Sequence, residues 1–434
     1  MVATPDYAGV EQKQACTTSS CSNLPGTYTC VMPGYQSNHS MTDDDVCTRR
    51  LLTHQRIVVD VAVVFELWSF LTKYLSDRST TIMISDCQHN YEGAEKLLEI
   101  WFFDETGKCP GDLDLRHISR HDIELVLDRA CCSIVRENSN ERQLSFVLSE
   151  SSLFITNNRI ILKTCGNTRL LETVEPLINL ARGLGFEHHR TYYSHCSFLF
   201  PEQQEEVYQD FESEVARLDL VYKGAGAKRI FGNLRSNRWH LYCGQSIPSA
   251  LKEPSGQTLQ LMMRGLSPAK MEPFYAINSG SAEEATRLSG IYSLFPGANI
   301  ADFLFEPCGY SVNGVMKSDE YFTIHITPEP EFSYVSVETN VAMEDYTNFI
   351  SRVLDIFGPS SFICTFISDS NSKAHGNHEV LKEVKLPNFR RMEIGDWNLF
   401  ARKKVTYTAY EVDSHRRPNS SFGSDEESRA SSLD

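Results

Sequence analysis

The sequence lacks several patterns that mark common protein classes. No C-x-x-C pair occurs among its thirteen cysteines, and neither G-x-G-x-x-G nor G-x-x-x-x-G-K-[ST] is present. These absences disfavour zinc modules and phosphate-binding glycine loops. No apolar run approaches the roughly 20 residues that a membrane-spanning helix needs, because the most apolar stretch, residues 57–65, is interrupted by Asp60. Nucleotide hydrolysis and membrane insertion therefore lose support, and we expect no metal site.

Positive charge is also scarce. The chain has 41 Lys and Arg against 57 Asp and Glu, for a formal net charge of −16. This balance repels phosphate backbones and anionic lipid, so nucleic acid and membrane surfaces are not expected partners, whereas a cationic small molecule suits it. The first residues, MVATPDYAG, lack the basic and then apolar order of a signal peptide. We therefore expect a cytoplasmic protein with reduced thiols.

The composition predicts three parts. Residues 1–88 form a poorly ordered, cysteine-containing extension, in which zinc or disulfide bonding by the cysteines is the less favoured interpretation. Residues 89–410 form the core, and residues 411–434 form a disordered acidic, serine-rich tail. In the core, helix-like segments follow hairpins of short strands, which favours an α+β fold with antiparallel sheets. The strand-like runs are 146–156, 159–165, 321–327, 332–339 and 360–368, and the helix-like segments are 170–184, 205–218 and 342–357.

The first informative segment is FVLSESSLFITNNRIILKTCGNT, residues 146–168. Its adjacent asparagines tolerate the positive φ of a tight turn, so the segment predicts two strands of one hairpin. A two-residue loop places Ser151 opposite Thr164, and a three-residue loop places it opposite Cys165. Either register brings Ser151, Lys163 and Cys165 close together. An ordinary polar sheet face remains the alternative interpretation.

Two further segments carry polar side chains in strand-like patterns. In residues 305–340, a returning loop brings Ser311 to face the strand that carries His325, within hydrogen-bond reach. In YEGAEKLLEIWF, residues 91–102, period two places four alternating residues on one strand face. That face suits the wall of a site for a cationic ligand, although a solvated sheet edge fits the pattern equally. Its residues are Glu95, Leu97, Glu99 and Trp101.

Together these segments resemble the eukaryotic S-adenosylmethionine decarboxylases, which are pyruvoyl-dependent enzymes of polyamine synthesis. The resemblance rests on YEG-x-EK, on LSESS followed by LKTCG, and on a CGYS-N-G…TIHITPEPE…S-E-TN block, in that order. It covers roughly residues 89–405. The fold it implies is a four-layer α/β/β/α sandwich, in which two antiparallel sheets lie face to face with helices outside and form two similar halves.

The resemblance also implies self-processing of a proenzyme. Ser151 would attack the carbonyl of Glu150, and the resulting ester would be cleaved by elimination, with His325 taking the α-proton and Ser311 assisting by a hydrogen bond. The products would be a β chain of residues 1–150 and an α chain of residues 151–434. Ser151 would become a pyruvoyl group at the new N-terminus, so that covalent pyruvate is the cofactor and no external one is required.

In the implied reaction, the pyruvoyl carbonyl forms a Schiff base with the substrate's amino group, and Cys165 reprotonates the α-carbon after carbon dioxide leaves. The substrate is S-adenosylmethionine, and the product serves spermidine and spermine synthesis. The other partners implied are the two cleaved chains, alone or as a dimer. The resemblance implies that Tyr91 and Phe305 are an aromatic pair that holds the adenine and that Glu329 binds the ribose. Glu92 and Glu95 would serve substrate binding and catalysis. Glu150 would become the β-chain terminus beside the site.

The resemblance is incomplete at an activator site. In relatives that putrescine activates, acidic residues buried between the sheets bind the diamine, and Glu99, Lys163, Thr258 and Glu338 match that site. Gly256 and Gln260 stand where those relatives carry carboxylates. We therefore expect little or no activation by putrescine. The alternative is that Glu99 and Glu338 both pair with Lys163 and that no activator site forms.

Two other functions remain open at this point. One is a catalytically silent regulatory partner of such a decarboxylase, and the other is an S-adenosylmethionine-binding module without decarboxylase activity. The presence of Ser151, Cys165, Ser311 and His325 together favours the enzyme.

Overall fold

The computed structural model describes the residues of seven stretches, namely 92–104, 108, 111–223, 226–233, 237–245, 256–399 and 402–413. The extension 1–88, Tyr91 and the tail beyond 413 lie outside the described residues. All described residues belong to one unit, Tyr74–Asp434.

Within the described residues the chain forms sixteen strands. Those of the first half, β1 to β8, are Lys96–Phe103, Ile134–Ser139, Gln143–Leu148, Ser151–Thr156, Arg159–Thr164, Glu187–Cys196, Ala227–Phe231 and Trp239–Gln245. Those of the second half, β9 to β16, are Gln257–Arg264, Asn299–Leu304, Tyr310–Val315, Tyr321–Thr327, Tyr334–Thr339, Ser361–Asp369, Phe389–Asn398 and Lys403–Val412.

The strands form two eight-stranded sheets of identical topology. The first sheet has the order β2-β3-β4-β5-β1-β6-β8-β7, and the second has the order β10-β11-β12-β13-β9-β14-β16-β15. Adding eight to each strand of the first order gives the second. All neighbouring strands pair antiparallel. The prediction of two similar halves built on antiparallel sheets is therefore confirmed.

Helices cover the outer face of each sheet, because alternate strand residues and one side of each helix share an apolar core. In the first half, Leu98 and Leu162 of the sheet pack with Val126, Leu177 and Val215 of the helices. The second half has an equivalent core. The α-helices, α1 to α7, are Arg120–Arg129, Val174–Gly183, Phe211–Tyr222, Pro268–Met271, Ala282–Ser289, Thr347–Phe357 and Asn377–Glu383. Short 3-10 helices are Leu115–His117, Leu170–Thr173, Pro201–Gln203, Glu206–Tyr208, Glu272–Phe274 and Ile291–Ser293.

The inner faces of the two sheets pack against each other. Tyr192 and Trp239 of the first sheet share a buried cluster with Met262 and Val405 of the second. With the helices outside, this gives the four layers that the sequence resemblance implies. Towards β4 and β12 the inner space is polar, and Ser152 bonds across it to Asn313 at 2.7 Å.

The predicted hairpin of residues 146–168 has the two-residue loop. Ser151 pairs with Thr164 in the β4–β5 ladder, and the Cys165 amide donates to the Glu150 carbonyl at 2.8 Å. The expectation of a single strand over 146–156 is wrong, because the chain turns at residues 149–150 between β3 and β4. There Ser149 leaves the ladder, and its amide donates to the Ser133 carbonyl at 2.8 Å.

Candidate active site

The peptide bond between Glu150 and Ser151 joins a tight turn to the start of β4. Ser151 is fully buried and has a φ of 148°, in a region that residues with a Cβ rarely adopt. The Glu150 carbonyl accepts a hydrogen bond from the Cys165 amide, which polarises it. The bond is therefore strained and its carbonyl is already contacted by a donor.

The Ser151 hydroxyl donates a hydrogen bond to Oε1 of Glu95. Glu95 directly precedes β1, and it points to the inner face because side chains alternate along a strand. Burial would raise the pKa of Glu95, but Lys163, His325 and the hydroxyls of Ser151 and Ser336 lower it below its ordinary value. The carboxylate is thus ionised and can accept the serine proton.

His325 connects the serine of β11 to the thiol of the first sheet. Ser311 and His325 are directly opposite in the β11–β12 ladder, and their Oγ and Nδ1 atoms lie 2.8 Å apart. On the other side of the ring, Nε2 lies 3.2 Å from the Cys165 sulfur. Burial lowers the pKa of His325 below its ordinary value, against the opposing effect of Glu95. The imidazole is therefore neutral near pH 7 and can accept a proton.

Cys165 follows β5 and presents its thiol beside Glu150. The sulfur lies 3.7 Å from Oε2 of Glu150. Burial, followed by the charges of Glu150 and Glu95, raises the pKa of the Cys165 thiol well above its ordinary value. The sulfur consequently keeps its proton near pH 7, as a proton donor must.

Glu150, Cys165 and His325 border a cleft of about 520 Å³ that residues of both halves line. The cleft is lined by Glu92, Glu150 and Cys165 of the first half and by Phe305 and Glu329 of the second, among others. The cleft has four carboxylates among its lining residues, those of Glu92, Glu150, Glu306 and Glu329, and this favours a cationic ligand.

Two aromatic rings stand next to each other at the cleft. The Phe303 and Phe305 centroids are 4.8 Å apart with an edge-to-face arrangement, and Phe305 lies 6.4 Å from the His325 ring. Phe305 is half-buried, so its ring remains accessible to a ligand. Tyr91, the other predicted aromatic residue, lies outside the described residues.

Glu329 and Glu92 differ in how their carboxylates are used. Oε2 of Glu329 is buried without a hydrogen-bond partner among the described residues. The Glu92 carboxylate, in contrast, accepts from the amides of Ala94, Leu199 and Phe200 at 3.1, 2.5 and 3.1 Å. Glu92 thus has a structural task that no sequence pattern indicated.

Lys163 lies between two carboxylates in the space separating the sheets. Its Nζ is 3.4 Å from Oε2 of Glu95 and 3.4 Å from Oε2 of Glu338, and all three side chains are buried. Burial raises the pKa of Glu338, although Lys163 and the hydroxyl of Tyr321 oppose that effect. The alternative in which Lys163 pairs with both Glu99 and Glu338 is right for Glu338. It is wrong for Glu99.

Glu99 lies farther along β1 and is half-buried, beside cationic side chains that the sequence patterns did not single out. Arg159 Nη1 is 3.6 Å from Oε1 of Glu99, and the Trp101 indole donates to the same oxygen at 2.7 Å. Glu99 and Arg159 share a small pocket with Lys403, which lies over the Trp101 ring at 5.2 Å. Thr258 and Gly256 line it too. Gln260 lies opposite Glu338 in the β9–β13 ladder.

One of the missed cations had a signal in the sequence. Arg159 and Lys163 are four residues apart on β5, so period two places both on the inner face. Lys403 had none, because it reaches this pocket only through the distant pairing of β14 with β16.

The described part of the chain holds neither a cluster of metal ligands nor a membrane-spanning helix. No group of three or more His, Cys, Asp and Glu side chains there is arranged to hold a metal ion. No helix among those residues is long and apolar enough to cross a membrane.

Comparison with known proteins identifies relatives. Residues 88–411 match the model of the family described as adenosylmethionine decarboxylase. The S-adenosylmethionine decarboxylase proenzyme of Xenopus laevis is 39% identical over 315 residues, which cover 72% of this chain and 92% of the relative. The corresponding proenzyme of Drosophila melanogaster is 40% identical over 316 residues, 70% of this chain and 89% of the relative.

A solved structure is also similar, with a TM-score of 0.45 and 22% sequence identity; the match covers 60% of this chain and 99% of that one. It is described as the Trypanosoma brucei AdoMetDC-delta26 monomer. The family match and the extensive identity to the frog and fly proenzymes together show that this chain belongs to the adenosylmethionine decarboxylase family.

Proposed function

We propose that the chain is a self-processing proenzyme whose mature form decarboxylates S-adenosylmethionine to supply the aminopropyl donor of spermidine and spermine synthesis. The observation that carries the proposal is the meeting of a strained Glu150–Ser151 bond with the Cys165–His325–Ser311 chain of contacts. The substrate follows from the names of the relatives. We propose the cytoplasm as its location, and a dimer of the processed chains remains a prediction.

Processing begins, in this proposal, with attack by the Ser151 hydroxyl on the Glu150 carbonyl. The ionised Glu95 accepts the hydroxyl proton, since it already accepts the hydrogen bond from Ser151. The new Oγ–C bond makes an ester as the C–N bond breaks, and Glu95 passes the proton on to the released amino group of Ser151. The Cys165 amide stabilises the negative charge that develops on the carbonyl oxygen.

Elimination then cuts the chain. His325, held neutral by burial, takes the α-proton of Ser151, and the electron pair expels Glu150 as a carboxylate. Ser311 holds the opposite nitrogen of the imidazole and so orients the base. The dehydroalanine left at residue 151 reacts with water and releases ammonia, which leaves a pyruvoyl group.

The residues around position 151 fit a pyruvoyl group. Position 151 is fully buried, and the unfavourable φ of Ser151 ceases to exist once the peptide bond before it is cut. When formed, the pyruvoyl group would supply an electron sink for the electron pair that remains on the substrate when its bond to the carboxylate breaks. The protonated Cys165 thiol then donates to the substrate α-carbon from the same cleft.

The substrate's charge and shape also suit the cleft. The sulfonium is cationic, and Glu92, Glu150 and Glu329 line the cleft with negative charge. Phe305 offers a ring face to the adenine, with Tyr91 proposed as its partner. The unpartnered Oε2 of Glu329 is free to accept from ribose hydroxyls.

The experiment is to measure carbon dioxide release from carboxyl-labelled S-adenosylmethionine by the purified chain. We expect saturable release and equal formation of the decarboxylated product, with none from Ser151→Ala. Binding of the substrate without any release by a processed wild-type chain would contradict the proposal and favour a silent partner.

A further inference from the structure

Lys96 is a buried ammonium on the opposite side of the first sheet from Glu95. It begins β1, and its side chain points to the helix-covered face, together with Leu98. It is fully buried, and its Nζ lies 5.2 Å from the centroid of the Phe198 ring and 4.9 Å from that of Tyr208. Burying a charge is costly unless it is paired or hydrogen-bonded, so its contacts deserve a functional explanation.

The contacts of Lys96 converge on the turn that carries Cys165. Nζ donates to the Gly166 carbonyl at 2.9 Å and to Oε1 of Gln204 at 3.1 Å. The Gly166 amide donates to the Glu92 carbonyl at 2.9 Å. Both polar groups of Gly166 are therefore held by residues just before or at the start of β1, and Gly166 has a positive φ of 63° that suits a glycine.

Lys96 also acts on the thiol through its charge. Cys165 becomes a thiolate when it gives its proton to a carbon, and Glu150 and Glu95 oppose that change. Lys96 is the cation that favours it. We propose that Lys96 is a positioning residue for Cys165: it fixes the thiol by holding Gly166, and it stabilises the thiolate left after proton donation. This inference rests on the proposed function.

The surroundings of Lys96 predict a pH limit for this role. Burial lowers the pKa of Lys96 to about 8, although the carboxylates of Glu214 on α3 and of Glu92 oppose that effect. The hydroxyl of Tyr193 and Nε2 of His195 both bond to Glu214. Above about pH 8 the amine loses its charge, and its support of the thiolate is lost.

The test uses Lys96→Met, which removes the charge and the donor, and Lys96→Gln, which removes the charge but retains an N–H donor. Lys228→Met on β7 is the control, since Lys228 is an exposed residue that pairs with Glu212 at the surface. In each variant, the alkylation rate of the Cys165 peptide by iodoacetamide is followed against pH by mass spectrometry. For each variant that undergoes processing, the number of turnovers before inactivation is also counted.

We expect the alkylation rate of Cys165 at pH 7, where Lys96 carries its charge, to fall about tenfold or more in both Lys96 variants, as loss of a nearby opposite charge predicts, and this difference from the wild type should shrink above about pH 8. We expect kcat to fall at least about tenfold in Lys96→Met with little change in KM. The reason is that Lys96 supports proton donation by Cys165, which follows substrate binding. Fewer turnovers should precede inactivation, since misplaced protonation transfers the substrate's amine to the pyruvoyl group.

An unchanged alkylation rate of Cys165 at pH 7 in both Lys96 variants would overturn the proposal, as would an unchanged number of turnovers in a processed variant. The alkylation arm does not require processing, so it decides the question even if Lys96→Met remains uncleaved. A wild-type chain that shows no carbon dioxide release would instead remove the proposed function.

Discussion

At Cys165 the side-chain environment determines the outcome of the proposed reaction. The thiol is protonated because burial and neighbouring carboxylates raise its pKa. Cys165→Ala should be processed and should lose about 10² to 10⁴ in decarboxylation rate, the usual contribution of a positioned acid. Single-turnover assays on the processed variant measure this loss. Full activity would remove Cys165 as the proton donor.

His325 gives a pH prediction whose sign follows from its environment. Its pKa is lowered by burial, so the neutral form persists below the ordinary value of 6.5. Processing should therefore be insensitive to His325 protonation from pH 8 down to about 6.5, the unperturbed value, and should slow only at lower pH. The rate of chain cleavage of freshly refolded proenzyme measures this dependence.

The His325→Ala variant separates the two steps of processing. Without its base the chain should stop at the ester, and hydroxylamine should then cleave it. An unchanged cleavage rate in this variant would show that another group takes the α-proton.

The sequence predicts which residues a single hairpin brings together better than it predicts contacts between the two sheets. Ser151 and Cys165 meet through one tight turn, and Ser311 and His325 meet through one β return, so spacing was sufficient for both. The hydrogen bonds of Glu92 to Leu199 and Phe200 join segments about a hundred residues apart. No local spacing encodes such a contact.

At the scale of elements, strands β3 and β4 reach across to β11 and β12. The Asn313 amide donates to the Phe146 carbonyl at 2.9 Å, and its carbonyl oxygen accepts from Ser152 at 2.7 Å. Ser152 and Thr323 hydroxyls also lie 2.9 Å apart. These bonds hold the strand that begins with Ser151 against the strand that carries His325.

Asn313→Ala should lower the free energy of unfolding by about 1–3 kcal/mol, because it leaves buried polar partners unsatisfied. Urea unfolding in a Ser151→Ala background measures this change on an uncleaved chain. The control is Asn179→Ala on the exposed side of α2, which should have little effect. Equal stability of the two variants would show that the bridge between the sheets contributes nothing.

The break between β3 and β4 shows why one element escaped prediction. Residues 146–156 contain β-branched and aromatic residues on both sides of Ser149 and Glu150, so strand propensity alone favours continuity. The chain turns there because tertiary pairing with the segment around Ser133 supplies the alternative hydrogen bonds.

At the scale of the whole molecule, the acidic side chains between the sheets lie beside cationic ones. Among the described residues there, the carboxylates Glu95, Glu99 and Glu338 meet the cations Arg159, Lys163 and Lys403. A diamine adds two positive charges, and a buried cation needs compensating carboxylates. Gly256 and Gln260 supply none.

Putrescine should consequently stimulate the wild-type enzyme weakly or not at all. Lys403→Met should lower basal activity, because Glu99 loses a neighbouring cation, and putrescine should restore part of it. Lys404→Met is the control, since Lys404 pairs with Glu379 and Asp396 at the surface. Enzyme activity measured across a putrescine titration tests both expectations. Strong activation of the wild type at low putrescine concentration would contradict the first.

The two halves contribute equivalent strands to the candidate site. Ser151 begins β4 and His325 lies on β12, which occupy the same place in the two sheet orders. The resemblance implied two similar halves, but no repeat is visible in the residues, because the inner and outer faces of a sheet constrain residue type far more than residue identity.

The central claim is that the chain cuts itself between Glu150 and Ser151, and the intact mass of the purified, denatured protein tests it most directly. The account predicts two chains, residues 1–150 and 151–434, with an α chain whose N-terminus is blocked by pyruvate. Ser151→Ala should remain a single chain of 49.2 kDa. A single full-length wild-type chain that still decarboxylates S-adenosylmethionine would contradict the account.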